Sequence, residues 1–176
     1  MAESFTFSTT PGQTVDRELL LAFLNTGTAE SPIWSVFGKR VEDSSIEFDW
    51  GTGTKKDILG ATYATGTKAT RTQTFEPCEL DAEDKAQQKI WQLAVVEDNV
   101  NALMNQDVLL VHLYAKNLEG NAFAERYPSS SVLPTSLGGE GGGSVGMPVD
   151  VTFGGNRQVG TAEVGSDGVV TFTPAA

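Results

Sequence analysis

From Val41 to Trp50 the chain alternates almost without a break: Ile46, Phe48 and Trp50 fall on one side of an extended backbone, and Asp43, Ser45, Glu47 and Asp49 on the other. Side chains two residues apart share a face only in a strand, so the stretch predicts a strand with one buried and one acidic face. Its neighbours carry the same kind of signal. Leu19 to Leu24 is an apolar run ending at Asn25-Thr26-Gly27, and Ile33 to Phe37 is a short run closed by Gly38; both read as core strands. Lys68 to Glu76 is Thr-rich and β-prone, and is the expected pairing partner of Val41 to Trp50. Val108 to Tyr114 is apolar on both faces, as a central strand covered on both sides would be.

The last third continues in strand and turn: Ala122 to Tyr127, Val145 to Phe153, Arg157 to Val164 and Val169 to Thr173, with turns at Gly154-Gly155-Asn156 and Ser166-Asp167-Gly168. One helix interrupts this pattern. Asp81 is the expected N-cap, Glu83 and Asp84 suit the first turn, and Ala86, Ile90, Leu93 and Ala94 form an apolar stripe, with Glu83, Gln87 and Gln88 turned to solvent. The pattern predicts a mainly β fold, a β-sandwich or partly open barrel of eight or nine strands with one flanking α-helix.

Three segments fall outside this packed frame. Residues 1–18 read as an N-terminal arm, in which Phe5-Thr6-Phe7-Ser8 alternates before Pro11-Gly12. Residues 51–66, with Gly51, Gly53, Gly60, Gly66, many Thr and Lys55-Lys56-Asp57, read as a long loop between strands. Residues 137–144 form a Gly-rich loop, Leu137-Gly138-Gly139-Glu140-Gly141-Gly142-Gly143-Ser144. At 176 residues the chain is expected to form a single domain, 1–176.

Charge and chemistry narrow the function. With 12 Lys plus Arg against 23 Asp plus Glu the formal net charge is −11, which opposes any electrostatic grip on a phosphate backbone. The lone Cys78 allows neither an intramolecular disulfide nor a Cys-rich metal cluster and reads as a small apolar residue at a strand end. No run approaches the ~18 apolar residues of a membrane span, and no signal-peptide pattern opens the chain. The Gly-rich run lacks the Gly-Lys-Ser/Thr of a phosphate loop, and Gly53-Thr54-Lys55 and Gly66-Thr67-Lys68 lack its spacing. His112, the only histidine, lies mid-strand and reads as a core or subunit-contact residue; no Gly-x-Ser-x-Gly elbow accompanies it. Paired carboxylates such as Glu47 with Asp49 and Glu83 with Asp84 read as a solvated acidic face, and no calcium-loop pattern appears. No enzyme activity, metal site or cofactor is expected.

The order of these features, Phe23-Leu24-Asn25-Thr26-Gly27-Thr28, then Pro32-Ile33-Trp34-Ser35-Val36-Phe37-Gly38, then Tyr127-Pro128, the Gly-rich run and a β-patterned tail, resembles the tail-tube (major tail) proteins of long-tailed bacteriophages from about Leu19 to the C-terminus. The resemblance implies hexameric rings that stack into a hollow, non-contractile tube, with strands of each subunit joining a continuous barrel around the lumen. It implies further copies of the chain, a tape-measure protein, a tail terminator and tail-tip proteins as partners, and DNA that passes through the lumen without specific binding. It also implies synthesis in the host cytoplasm, a place in the virion tail and no membrane binding. On that footing Asp43, Glu47, Asp49 and Asp150 are expected to line the lumen. Phe5, Phe7, Ile58, Leu59 and Phe172 are expected to make contacts between rings, on segments that take shape on assembly. In many relatives paired acidic residues precede the Gly-rich run, where this chain has Pro134-Thr135-Ser136, and no residue role is carried over from there. The competing expectation is an immunoglobulin-like binding or decoration module; a hydrolase working through carboxylates stands third.

Overall fold

A computed structural model describes residues 4–175; the first three residues of the expected arm and the last residue of the expected domain lie outside the described residues. The chain runs β1 (Thr6–Phe7), a 3-10 turn (Arg17–Leu19), β2 (Leu20–Asn25), β3 (Trp34–Phe37), β4 (Ile46–Asp49), β5 (Gly53–Lys56), β6 (Thr62–Thr65) and β7 (Thr70–Phe75). A helical stretch follows, α1 (Lys85–Trp91), a π segment (Gln92–Val96) and α2 (Val100–Leu103), and then β8 (Gln106–Lys116), β9 (Ala122–Pro134), β10 (Val149–Thr152), β11 (Gln158–Val164) and β12 (Val170–Pro174). The fold is mainly β, a curled half-barrel sheet with the helix on its flank, as expected.

All the pairings are antiparallel. The main path is β3-β2-β8-β9-β10-β7-β4, with β1 on β8, β11 on β9 and β12 on β11, while β5 and β6 form a separate hairpin. The long strand β9 organises the whole. Its first residues, Ala122 to Arg126, pair with β11, and its last, Ser131 to Pro134, pair with β10, while β8 runs along its other side. The expected strand is Ala122 to Tyr127; β9 runs on to Pro134, through Pro128, which cannot donate to a ladder. The strand continues because Pro128 falls where the neighbour changes from β11 to β10. The return path needs glycine there: a Cβ on Gly154 would lie 2.4 Å from the Ser129 carbonyl oxygen.

Period two divides the buried side chains between two cores. In β8, Leu109 and Val111 pack on one face with Phe23, Trp34, Ala122, Ala124, Ala162 and Val170. Val108 and Leu110 face the other way, against Leu24, Phe37, Phe75, Val132, Met147, Val149, Ala86 and Ile90. The central-strand expectation for β8 is met, and α1 closes the second core. Ile90 is fully buried there, so Ile90→Ala should lower the unfolding free energy by about 3 kcal/mol, cavity included. Urea denaturation followed by circular dichroism measures this.

The helix departs from its expected boundaries. Its N-cap is Asp84, whose side chain accepts a hydrogen bond from Gln87 N, whereas Asp81 caps the preceding turn through Glu83 N at 2.9 Å. Gln87, expected in solvent, is buried: its Oε1 accepts from Asp81 N at 2.8 Å and its Nε2 donates to the Glu79 carbonyl at 2.9 Å. The amide pins the β7–α1 connection to the helix, and the backbone groups of that connection supply its partners. The helix then widens into the π segment, breaks at Asp98, with φ of 47°, and restarts at α2 under the Asn99 cap.

All three segments expected to take shape only on assembly have structure within the single chain, the Phe172 segment as β12, paired with β11. The arm pairs Thr6 with Lys116 and Phe7 with Ala115, and Phe5 meets Phe123 edge to face at 4.9 Å. The expected loop at 51–66 is the β5–β6 hairpin. Its turn is set by Asp57, whose Oδ1 accepts from Leu59 N and Ala61 N at 2.9 Å each, and by Gly60, with φ of 84°. The Gly-rich loop is closed at its base by two backbone hydrogen bonds between Gly138 and Gly146.

Candidate assembly surface

Register places the expected lumen residues on one surface. Glu47 lies opposite Thr72, Asp49 opposite Thr70, and Asp150 opposite Thr74, while Asp43 bridges Glu76. Directly opposed residues share a face, so Glu47, Asp49 and Asp150 line one exposed surface across β4, β7 and β10, threaded by threonines, and the bridged pair Asp43 and Glu76 extends it past the ends of β4 and β7. Thr74 Oγ1 donates to Asp150 Oδ1 at 2.7 Å. The one basic residue in these three strands, Arg71, lies opposite Phe48 and so points to the other face. Sequence reading missed Glu76; its period-two distance from Thr72 and Thr74 was the available signal.

That opposite face differs from expectation. Ile46 is half-buried, but Phe48 and Trp50 are about half exposed, at 49% and 53%. The reason is position: β4 is the last strand of the sheet, so no further layer covers its apolar side. The two rings stack at 6.1 Å, and the Arg71 guanidinium lies over Phe48 at 5.1 Å.

Behind them Arg71 enters a buried ionic cluster. Its Nη1 donates to Glu125 Oε2 at 2.6 Å and to Tyr127 Oη at 2.5 Å; Tyr127 Oη donates to the same carboxylate oxygen at 2.8 Å, and Arg157 pairs with Glu125 Oε1. Burial alone would raise the Glu125 carboxyl, but the hydrogen bonds from Arg157 and Tyr127 and the two guanidinium charges outweigh it and hold the group below the usual glutamate range. Burial, with the Glu125 charge, pushes the Tyr127 phenol up to about 12. Nearby, His112 is half-buried with Nδ1 at 2.8 Å from Tyr114 Oη, and burial lowers its pKa. Cys78 is fully buried, which pushes its thiol up to about 11. Among the described residues no group of three His, Cys, Asp or Glu side chains is placed to hold a metal ion.

The five residues expected between rings are scattered. Ile58 and Leu59 are fully or nearly fully exposed at the hairpin tip, and Phe7 is exposed on the arm. Phe5 is half-buried against Phe123, and Phe172 packs on the core of the curl in its own subunit. The sheet also ends openly. Strands β3 and β4 close its main path and β12 ends the curl, so each has one side without a strand neighbour among the described residues.

No protein-family model matches this chain, and no curated protein matches it in sequence. Among solved structures, the chain is similar to the tube-terminating cap of the anti-feeding prophage, at 12% identity and a TM-score of 0.47, over 88% of this chain and 96% of that one. It is also similar to a chain from the sheath/tube terminator of an extracellular contractile injection system, PVC, at 6% identity and 0.48, over 85% and 99%. A third likeness is to a chain from the PVC sheath-tube complex, at 9% and 0.45, over 96% and 100%. The two PVC chains come from a contractile system, whereas the sequence resemblance is to long non-contractile tails.

Proposed function

We propose that this chain is a structural subunit of a phage-tail-like particle, and in particular a tail-tube protein whose copies join edge to edge into rings, hexameric by resemblance, that stack into a conduit for DNA. The observation that carries the reading is the acidic surface: Glu47, Asp49 and Asp150 share one face of β4, β7 and β10, the bridged pair Asp43 and Glu76 continues it beyond the strand ends, and the only cation in those three strands, Arg71, points away. A wall of this kind suits a lumen. A favourable contact of even ~1 kcal/mol per phosphate, the scale of two charges at 4 Å in water, accumulates along a tube and stalls the DNA. Open sheet edges suit the ring, because pairing each with a neighbour removes a surface that otherwise pairs without control. The role is structural and non-catalytic, with tape-measure, terminator and tip proteins as partners and the virion tail as location.

Negative-stain electron microscopy of concentrated protein, with light scattering across a dilution series, tests it. Stacked rings or tubes are expected. Rings that never stack would make the chain a capping ring instead, and a monomer at every concentration, even beside the tape-measure and tip complex, would overturn the reading in favour of a binding module.

A further inference from the structure

The hairpin β5–β6 holds Ile58 and Leu59 in a defined turn, yet leaves them 102% and 87% exposed, so they touch almost nothing in their own chain. Both are flanked by Lys55 and Lys56, also exposed, while the one acid of the hairpin, Asp57, is engaged with the turn's own N–H groups. In a chain of net charge −11 the hairpin is a cationic, apolar-tipped projection.

A surface of opposite character lies on the helical stretch. Trp91 and Val95 are four residues apart, as are Val100 and Met104, so each pair shares a helix side. These four and Val96 are exposed, between 36% and 59%. Glu97 and Asp98 stand between the pairs, and no Lys or Arg occurs between Lys89 and Lys116. A soluble surface that spends three valines, a methionine and a tryptophan on exposed helix positions marks a contact.

We propose that the tip of the hairpin docks on this helical ridge of a second copy of the chain, with Ile58 and Leu59 against Val96, Val100 and Met104, and with Lys55 and Lys56, on the two faces of β5, flanking the tip beside Glu97 and Asp98. The second copy is the occupant because the chain itself carries both halves of the match in shape, polarity and sign. The two surfaces are different parts of the molecule, so the contact is head-to-tail and does not close on a pair; it propagates. The inference deepens the tube reading, on which it rests for the supply of a neighbour in that direction, by assigning the surface that receives the hairpin.

Mixed cross-linking tests it without requiring tubes. Copies carrying Ile58→Cys and copies carrying Val96→Cys are combined at high concentration and oxidised with diamide. Leu118→Cys, on a turn residue that is equally exposed, replaces the first partner as control. A covalent dimer forming at least tenfold faster with Ile58→Cys than with Leu118→Cys is expected, and slowing as salt rises. Equal rates would overturn the contact even where microscopy shows tubes, and a specific dimer in the absence of tubes would sink the tube reading alone. Reversing Lys55 and Lys56 to Glu should slow the dimer, and reversing Glu97 and Asp98 to Lys in the partner should restore it; no restoration would overturn the assigned ridge. Co-sedimentation of the wild-type protein with phosphatidylserine vesicles, lost in Ile58→Asp/Leu59→Asp, would make a membrane the occupant and overturn the proposal.

Discussion

Glu125→Ala should lower the unfolding free energy by about 3 kcal/mol, because it strips a buried pair of its anion. The carboxylate is nearly inaccessible, with a side chain 5% exposed, and ties together β7 through Arg71, β9 through Tyr127 and the approach to β11 through Arg157. Without it Arg157, 41% exposed, can turn toward water. Arg71, at 19%, cannot do so fully, and the uncompensated charge and the orphaned Tyr127 hydroxyl carry most of the loss. Glu125→Gln keeps the shape and one acceptor and should lose about half as much. The pH dependence has a definite sign. The folded-state pKa of Glu125 is depressed, so its contribution is fully present above the ordinary glutamate value of about 4.3 and is lost as pH falls through the lower folded value. Urea denaturation at neutral pH and below about pH 4 measures both effects; a Glu125→Ala protein whose stability gap is the same at both pH values would exclude this role for the cluster.

If the proposed tube forms, turning the acidic surface basic should make it hold DNA. The triple variant Glu47→Lys, Asp49→Lys, Asp150→Lys changes three exposed positions, so its cost to the fold is small apart from the Thr74–Asp150 hydrogen bond. Each substitution moves the wall by two charge units, and six such units per subunit, repeated around and along a tube, reverse the field that DNA meets. Assembled variant particles should retain linear duplex DNA at low salt and release it steeply as salt rises, the log-log slope following the number of phosphates neutralised. Wild-type particles should retain none. Variant tubes as indifferent to DNA as the wild type would place this surface on the outside.

Much of this fold was legible wherever local pattern and final environment agreed. The strands at β2, β3 and β8, the β4–β7 pairing and the β11–β12 hairpin stand where alternation and turn residues put them. The failures each have a physical source. Phe48 and Trp50 alternate like buried residues, but alternation reports which face a side chain takes and not whether another layer covers it. At Asp81 and Asp84, two capping residues three apart compete, and the interior position of Gln87 decides in favour of the second. The β5–β6 hairpin was missed because it packs on nothing and so lacks a hydrophobic face, although Asp57 and Gly60 are proper turn residues. For the acidic surface, all four expected members, Asp43, Glu47, Asp49 and Asp150, come to one face, but only the β7 register shows that the two strands that carry them are joined, and Glu76 enters through its bridge to Asp43. Nothing local announces that Glu125, Arg71 and Arg157 converge, since they come from β9, from β7 and from the connection that leads into β11.

Strand β9 has a mechanical consequence. Because one unbroken strand serves the curl at one end and the acidic sheet at the other, the subunit has no seam along which one half can hinge or peel from the other. A load along β9 is borne in shear by its ladders, with β8 over most of its length, β11 at one end and β10 at the other. In the proposed conduit, this shared strand would tie the curl of each subunit to its acidic sheet, so a load on one is passed to the other.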